Sequence, residues 1–116
     1  MRFIEAAPFS RKRPSLMTDD ELQALLRHLA EHPQSGDAIP GTGGFRKIRW
    51  ANSQRKKGKR SGSRTIYLFV SLVDTIHLLT IYDHEDKDDL TSAEKRELAT
   101  IAKDLKALAK QKGKTP

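Results

Sequence analysis

The stretch GFRKIRWANSQRKKGKRSGSRTIYLFVS, residues 44–71, decides the fold. It opens with an alternating segment over residues 45–51, in which Ile48 and Trp50 point to one side and Lys47 and Arg49 to the other. It closes with RTIYLFVSL, residues 64–72, rich in β-branched and aromatic side chains and apolar on both faces, the pattern of a central strand. A polar loop joins the two, so the stretch predicts a hairpin. Between its strands runs an uninterrupted positive charge: Arg46, Lys47, Arg49, Arg55, Lys56, Lys57, Lys59, Arg60 and Arg64, with no Asp or Glu among them.

That hairpin dominates the electrostatics of the chain. The 116 residues carry a formal net charge of +7 from 22 basic and 15 acidic side chains. Nine of the basic residues stand in the hairpin, so the other thirteen, against fifteen acids, leave the rest at −2. The protein is a mildly acidic body bearing one basic element. Clustered charge of one sign attracts an oppositely charged partner, most often a nucleic-acid backbone. The plainer reading is a solvated loop that aids solubility.

Outward from the hairpin the elements follow in order. IHLLTIY, residues 76–82, is a third strand after the short turn VDT, and RFIE, residues 2–5, a short one at the start. His77 reads as an ordinary strand residue, because no second ligand stands at a metal-binding spacing. Pro8 and Pro14 predict an irregular stretch, or at most a helical turn. The first clear helix starts at Thr18, where TDDE is a capping box, Met17 and Leu22 form a hydrophobic staple, and Leu22, Leu25, Leu26 and Leu29 make one apolar stripe. Pro33 stops it, and His28 reads as a surface residue. Residues 33–44 hold four Gly and two Pro and predict a loop; GTGG there lacks the Gly-Lys-Ser/Thr of a nucleotide site. A second helix begins at Thr91 with the capping box TSAE, carries a stripe of Leu98, Ile101, Ala102, Leu105, Leu108 and Ala109, and ends near Gly113. The acidic run DHEDKDD before it suits the helix dipole and lacks the spacing of a calcium loop. Strand, helix, three strands, helix is a small α+β domain with an antiparallel sheet.

The function classes narrow as well. The length suggests one domain. No Cys is present, which removes disulfides and thiolate chemistry and fits a reducing, cytoplasmic compartment. The apolar runs are too short to span a bilayer, and the first residues carry no apolar signal core, so no membrane partner is expected. No motif calls for a metal or a cofactor.

GDAIPGTGGFRKIRWA, GKRSGSRTIYLFV, HLLTIY and DDLT, in that order, resemble the HigB-like branch of the RelE/ParE toxin superfamily, the toxins of type II toxin–antitoxin pairs. The resemblance covers residues 18–108. It implies the RelE-like α+β fold, a small antiparallel sheet packed against amphipathic helices, over one domain of residues 1–116 with a basic loop at 52–63 and a frayed tail at 113–116. It implies a ribosome-dependent mRNA endonuclease, working without a metal through the RNA's own 2′-hydroxyl. It further implies a cognate antitoxin, often of helix-turn-helix type, as partner.

Such cleavage needs a base for the 2′ proton, an acid for the leaving 5′ oxygen and cations for the phosphorane-like transition state. On the matching positions, Arg64 and Arg49 are the candidates for holding the phosphate, and Lys47, crowded by like charges, is the candidate base. His84 departs from the family's usual Lys or Arg; it is a candidate acid, or a base if Lys47 stays charged, or else a solvent-exposed loop residue. Arg46, Arg55, Lys56, Lys57, Lys59 and Arg60 would contact RNA phosphates. Tyr82 could stack on a base or pack beneath the last helix. The competing readings are a DNA gyrase poison of the ParE kind on the same fold, and a binding module without catalysis.

Overall fold

A computed structural model describes residues 1–50, 62–83 and 89–114, with side chains through 112. The elements are β1 (Arg2–Glu5), α1 (Ala7–Leu16), α2 (Asp19–Glu31), β2 (Asp37–Ala38), β3 (Phe45–Trp50), β4 (Ser63–Val70), β5 (Thr75–Asp83) and α3 (Ser92–Lys114), with a 3-10 turn at Ser71–Val73. The described strands form one five-stranded sheet in the order β1-β5-β4-β3-β2. The apolar β4 is central, as its two-sided pattern requires.

Both faces of the sheet are covered. On one, Ile48, Tyr67, Ile76, Leu78 and Ile81 meet Phe9 of α1 and Leu22, Leu25 and Leu29 of α2. On the other, Phe45, Ile66, Leu68, Val70 and Tyr82 meet Leu98, Ala102 and Ala109 of α3. Both predicted capping boxes form. Glu21 N–H donates to Thr18 Oγ1 at 3.1 Å while Thr18 N–H donates to Glu21 Oε1 at 2.8 Å, and Thr91 and Glu94 repeat the arrangement.

Three features depart from the sequence expectation. Residues 7–16 are a ten-residue helix, with Pro8 tolerated in its first turn and Pro14 inside it. β1 pairs with β5 in parallel, so the sheet is mixed. A two-residue strand, β2, lies within the predicted loop and pairs with β3. A fourth feature has more consequence. β5 carries a bulge: Ile66 pairs with Thr80 and Tyr67 with Leu78, leaving Leu79 unpaired. The extra residue reverses the alternation, so Leu78 and Ile81 both face α1 and α2, and Tyr82 turns to the α3 side.

Loop 33–44 is fixed at both ends. Gly43 sits at φ 74° with α3 so close that a Cβ would come 3.1 Å from that of Ala102, and Lys106 Nζ donates to its carbonyl. At the other end the buried Tyr67 hydroxyl donates to Pro33 O at 2.9 Å and accepts from Gly36 N–H at 3.0 Å. Tyr67→Phe strands that amide and that carbonyl, and an expected loss of about 1–3 kcal/mol follows from leaving buried partners unsatisfied. Urea unfolding would register it as a lower midpoint at constant slope.

His77 on β5 gives the stability a pH dependence. Burial, then the charges of Arg2 and Lys112, hold its pKa below the usual 6.5. Above 6.5 both folded and unfolded states are neutral there. As pH falls through 6.5 the unfolded chain takes the proton first, so stability is lost on the acid side and the loss levels off below the folded pKa. His77→Gln is expected to show a smaller drop in melting temperature than the parent between about pH 7.5 and about pH 5.

Candidate functional site

Strand register builds the site. Arg49 on β3 is paired directly with Arg64 on β4, and Arg64 is paired directly with Tyr82 on β5. All three side chains belong to the α3 face of the sheet, beyond the stretch where Phe45 and Ile66 enter the core. With strands about 4.8 Å apart, the row spans about 10 Å. Lys47, paired with Ile66, lies two residues along β3 on the same face, diagonal to Arg64. Placing two arginines directly opposite on an antiparallel pair is unfavourable by itself. Packing does not ask for it, and an anion between them would turn the repulsion into a binding site.

Each member has its own surroundings. Arg49 is exposed. Arg64 is half-buried and its Nη1 donates to Gly62 O at 3.1 Å. Lys47 Nζ stands 3.9 Å from Asp89 Oδ1, beyond a tight ion pair, and the Asp89 side chain is 60% exposed. Tyr82 is 8% exposed and packs in the α3 core, so its ring gives little surface to a stacking base. Its hydroxyl has no hydrogen-bond partner among the described residues. Burial first, then the Asp89 carboxylate, raise its pKa above 10.0; Arg64 opposes them and Glu94 adds a smaller upward push. Tyr82 is therefore a neutral phenol beside Arg64, a potential donor.

The structure brings Lys47, Arg49, Arg64 and Tyr82 together and separates Arg46 from them. Arg46 faces the other side, where its Nη1 donates to Gly36 O at 2.7 Å and Gln34 O at 3.2 Å. Its guanidinium clamps loop 33–44; it is not part of the basic row. His84, Arg55, Lys56, Lys57, Lys59 and Arg60 lie outside the described residues. Asp89 is the group that sequence reasoning passed over. It stood in an acidic run assigned to the α3 dipole, and only the fold shows it beside Lys47 and Tyr82.

On the opposite face, Trp50 Nε1 donates to Glu21 O at 3.1 Å, and His28 lies 5.4 Å from the Trp50 ring, centroid to centroid. His28 lies at the surface as expected, half-exposed with its Nε2 3.0 Å from Ser35 Oγ, and also packs beside Trp50.

No family model matches the chain. Among solved structures it is similar to a double arginine-to-alanine mutant of the E. coli toxin RelE in the free state, with a TM-score of 0.55 and 14% identity over 75% of this chain and 86% of that one. The likeness is one of backbone, and it establishes the fold as RelE-like: an α+β domain with a five-stranded sheet between helices.

Proposed function

We propose that this protein is the toxin of a type II toxin–antitoxin pair, an endonuclease that cuts mRNA on the ribosome. The observation that carries the reading is the row of Arg49, Arg64 and Tyr82 with Lys47 beside it on one sheet face, running from the exposed Arg49 through the half-buried Arg64 to the buried Tyr82. The RelE-like fold supports it. In the reaction, the 2′-oxygen attacks the adjacent phosphorus and the bond to the 5′-oxygen breaks, leaving a 2′,3′-cyclic phosphate and a 5′-hydroxyl. Arg49 and Arg64 hold the non-bridging oxygens as negative charge grows on them. Lys47, in its neutral amine form, takes the 2′ proton, and His84 returns a proton to the leaving oxygen. The basic loop at 52–63 contributes sequence-independent contacts to RNA phosphates. The site of action is the cytoplasm, and a helix-turn-helix antitoxin is the expected inhibitor.

The test uses purified ribosomes, a short mRNA and the protein. Cleavage at a defined position, abolished by a 2′-deoxynucleotide at the scissile site, supports the proposal. An intact message at saturating protein, or inhibited gyrase supercoiling with mRNA uncut, overturns it. Lys47→Arg separates the base from the cations: a guanidinium keeps positive charge at that position but cannot take up the 2′ proton, so cleavage is expected to fall about 100-fold or more while ribosome binding persists.

A further inference from the structure

α3 covers only part of its side of the sheet. It packs on β3, β4 and the Ser71–Val73 turn and leaves a groove beside it, over β5 and β1. The flank of α3 facing that groove is a single stripe: Glu94, Glu97, Ile101, Leu105, Leu108 and Lys112. At the helix start a cavity of about 220 Å³ opens between Glu94, Glu97 and Ile101 and the bulged Leu79 and Thr80 of β5. At the helix end a second, of about 120 Å³, lies between Leu105, Leu108 and Lys112 and Arg2, Ile4 and His77. Leu108 is 53% exposed and Ile4 38%, high for large apolar side chains that meet in one hollow. His77, kept neutral near pH 7 by burial and by Arg2 and Lys112, adds an uncharged floor.

The order of charge along the groove selects its occupant. One end is acidic, through Glu94 and Glu97; the middle is apolar; the other end is basic, through Arg2 and Lys112. A uniformly acidic segment is repelled at the first end and a uniformly basic one at the second. The partner must run its charges in the reverse order, and α3 turned end for end does so. Set antiparallel, Ile101 faces Leu105 of the second copy and Glu94 faces Lys112, with Glu97 reaching the same lysine from the next turn and the exposed Leu108 set between Glu97 and Ile101 of the second copy. The stripe from Glu94 to Lys112 is about 27 Å long, so the contact extends over five turns. Such a contact is self-complementary and closes at two copies, as a two-fold axis requires.

We propose that the α3 flank is a self-association surface, pairing two copies of this chain through antiparallel α3 helices with Glu94 and Glu97 of one against Arg2 and Lys112 of the other. The surface lies along the β5–β1 side of α3, apart from the Arg49–Arg64 row, and does not depend on the nuclease reading.

Sedimentation equilibrium over a dilution series tests it. The parent is expected to pass from its monomer mass of 13.1 kDa to twice that mass as concentration rises, and to shift back toward monomer in high salt. Glu97→Lys and Lys112→Glu each set like charges face to face, and each is expected to weaken the dimer by about tenfold or more. Both residues are exposed, so the fold is retained, which circular dichroism checks. Mixing the two variants is the decisive step: at one end the introduced Lys meets the introduced Glu, at the other the native Glu94 and Glu97 meet the native Lys112, so the mixture is expected to dimerise more tightly than either variant alone. A parent that stays monomeric at every concentration, or a mixture no tighter than its components, overturns the proposal.

Discussion

Arg64→Ala is expected to lower ribosome-dependent mRNA cleavage by about 100- to 1000-fold, the usual cost of removing one preorganised donor from a developing oxyanion. Arg64 holds the central place in the row, with Arg49 on one side and Tyr82 on the other, so no neighbour can replace it from the same position. Arg64→Lys keeps the charge and loses the planar fork; it should recover part of the rate and no more. Stability should move little. The variant loses the bond to Gly62 O at 3.1 Å but also relieves the cross-strand repulsion with Arg49, two terms of about 1 kcal/mol or less and of opposite sign. A rate collapse with an unchanged melting temperature therefore marks Arg64 as a group that acts on the reacting phosphate. Full activity in Arg64→Ala removes the row from the mechanism.

How much of this was legible depends on whether a feature is local. The capping boxes at Thr18 and Thr91 are spelled out within four residues, and both form. Alternation in β3 separates Lys47 and Arg49 from Ile48 and Trp50, and the two cores divide accordingly. The same alternation, applied strictly, puts Arg46 with Ile48; grouping it with the other cations by charge alone hid its role as a loop clamp. The direction of Tyr82 was beyond any periodicity argument. Counted in twos from Ile76, Tyr82 falls on the α1 and α2 side, and one unpaired residue at Leu79 reverses it. A bulge is a decision of the ladder between two strands, so it leaves little mark in either strand alone. Asp89 and Lys47 are likewise neighbours only through the sheet and the approach to α3.

Phe9→Ala is expected to cost about 3–5 kcal/mol, a large share of the roughly 5–15 kcal/mol available to a domain of this size. Nothing in residues 7–16 argues for a helix in isolation: the segment holds two prolines and four basic or hydroxyl side chains in a row, and it lacks a side-chain cap at Ala6. What holds it is tertiary. Phe9 is fully buried, belongs to the α1 and α2 core with Ile76 and Leu78 of β5, and is the only residue of α1 buried to that degree. Arg13 secures the far end, its Nη1 donating to Asp19 Oδ1 at 2.7 Å and to Met17 O at 3.1 Å. Truncating Phe9 removes the anchor and leaves the intrinsic propensity, which is poor, so the melting temperature should fall on the order of 10–20 °C and α1 should lose amide protection before the sheet does. Pro14→Ala probes the same balance from the other side. It restores a backbone donor and a better helix former, and it should raise stability if α1 is a helix held against its own sequence. A Phe9→Ala protein that melts with the parent would mean that α1 contributes no core, and the parallel β1–β5 edge would then have to stand without the helix that follows it.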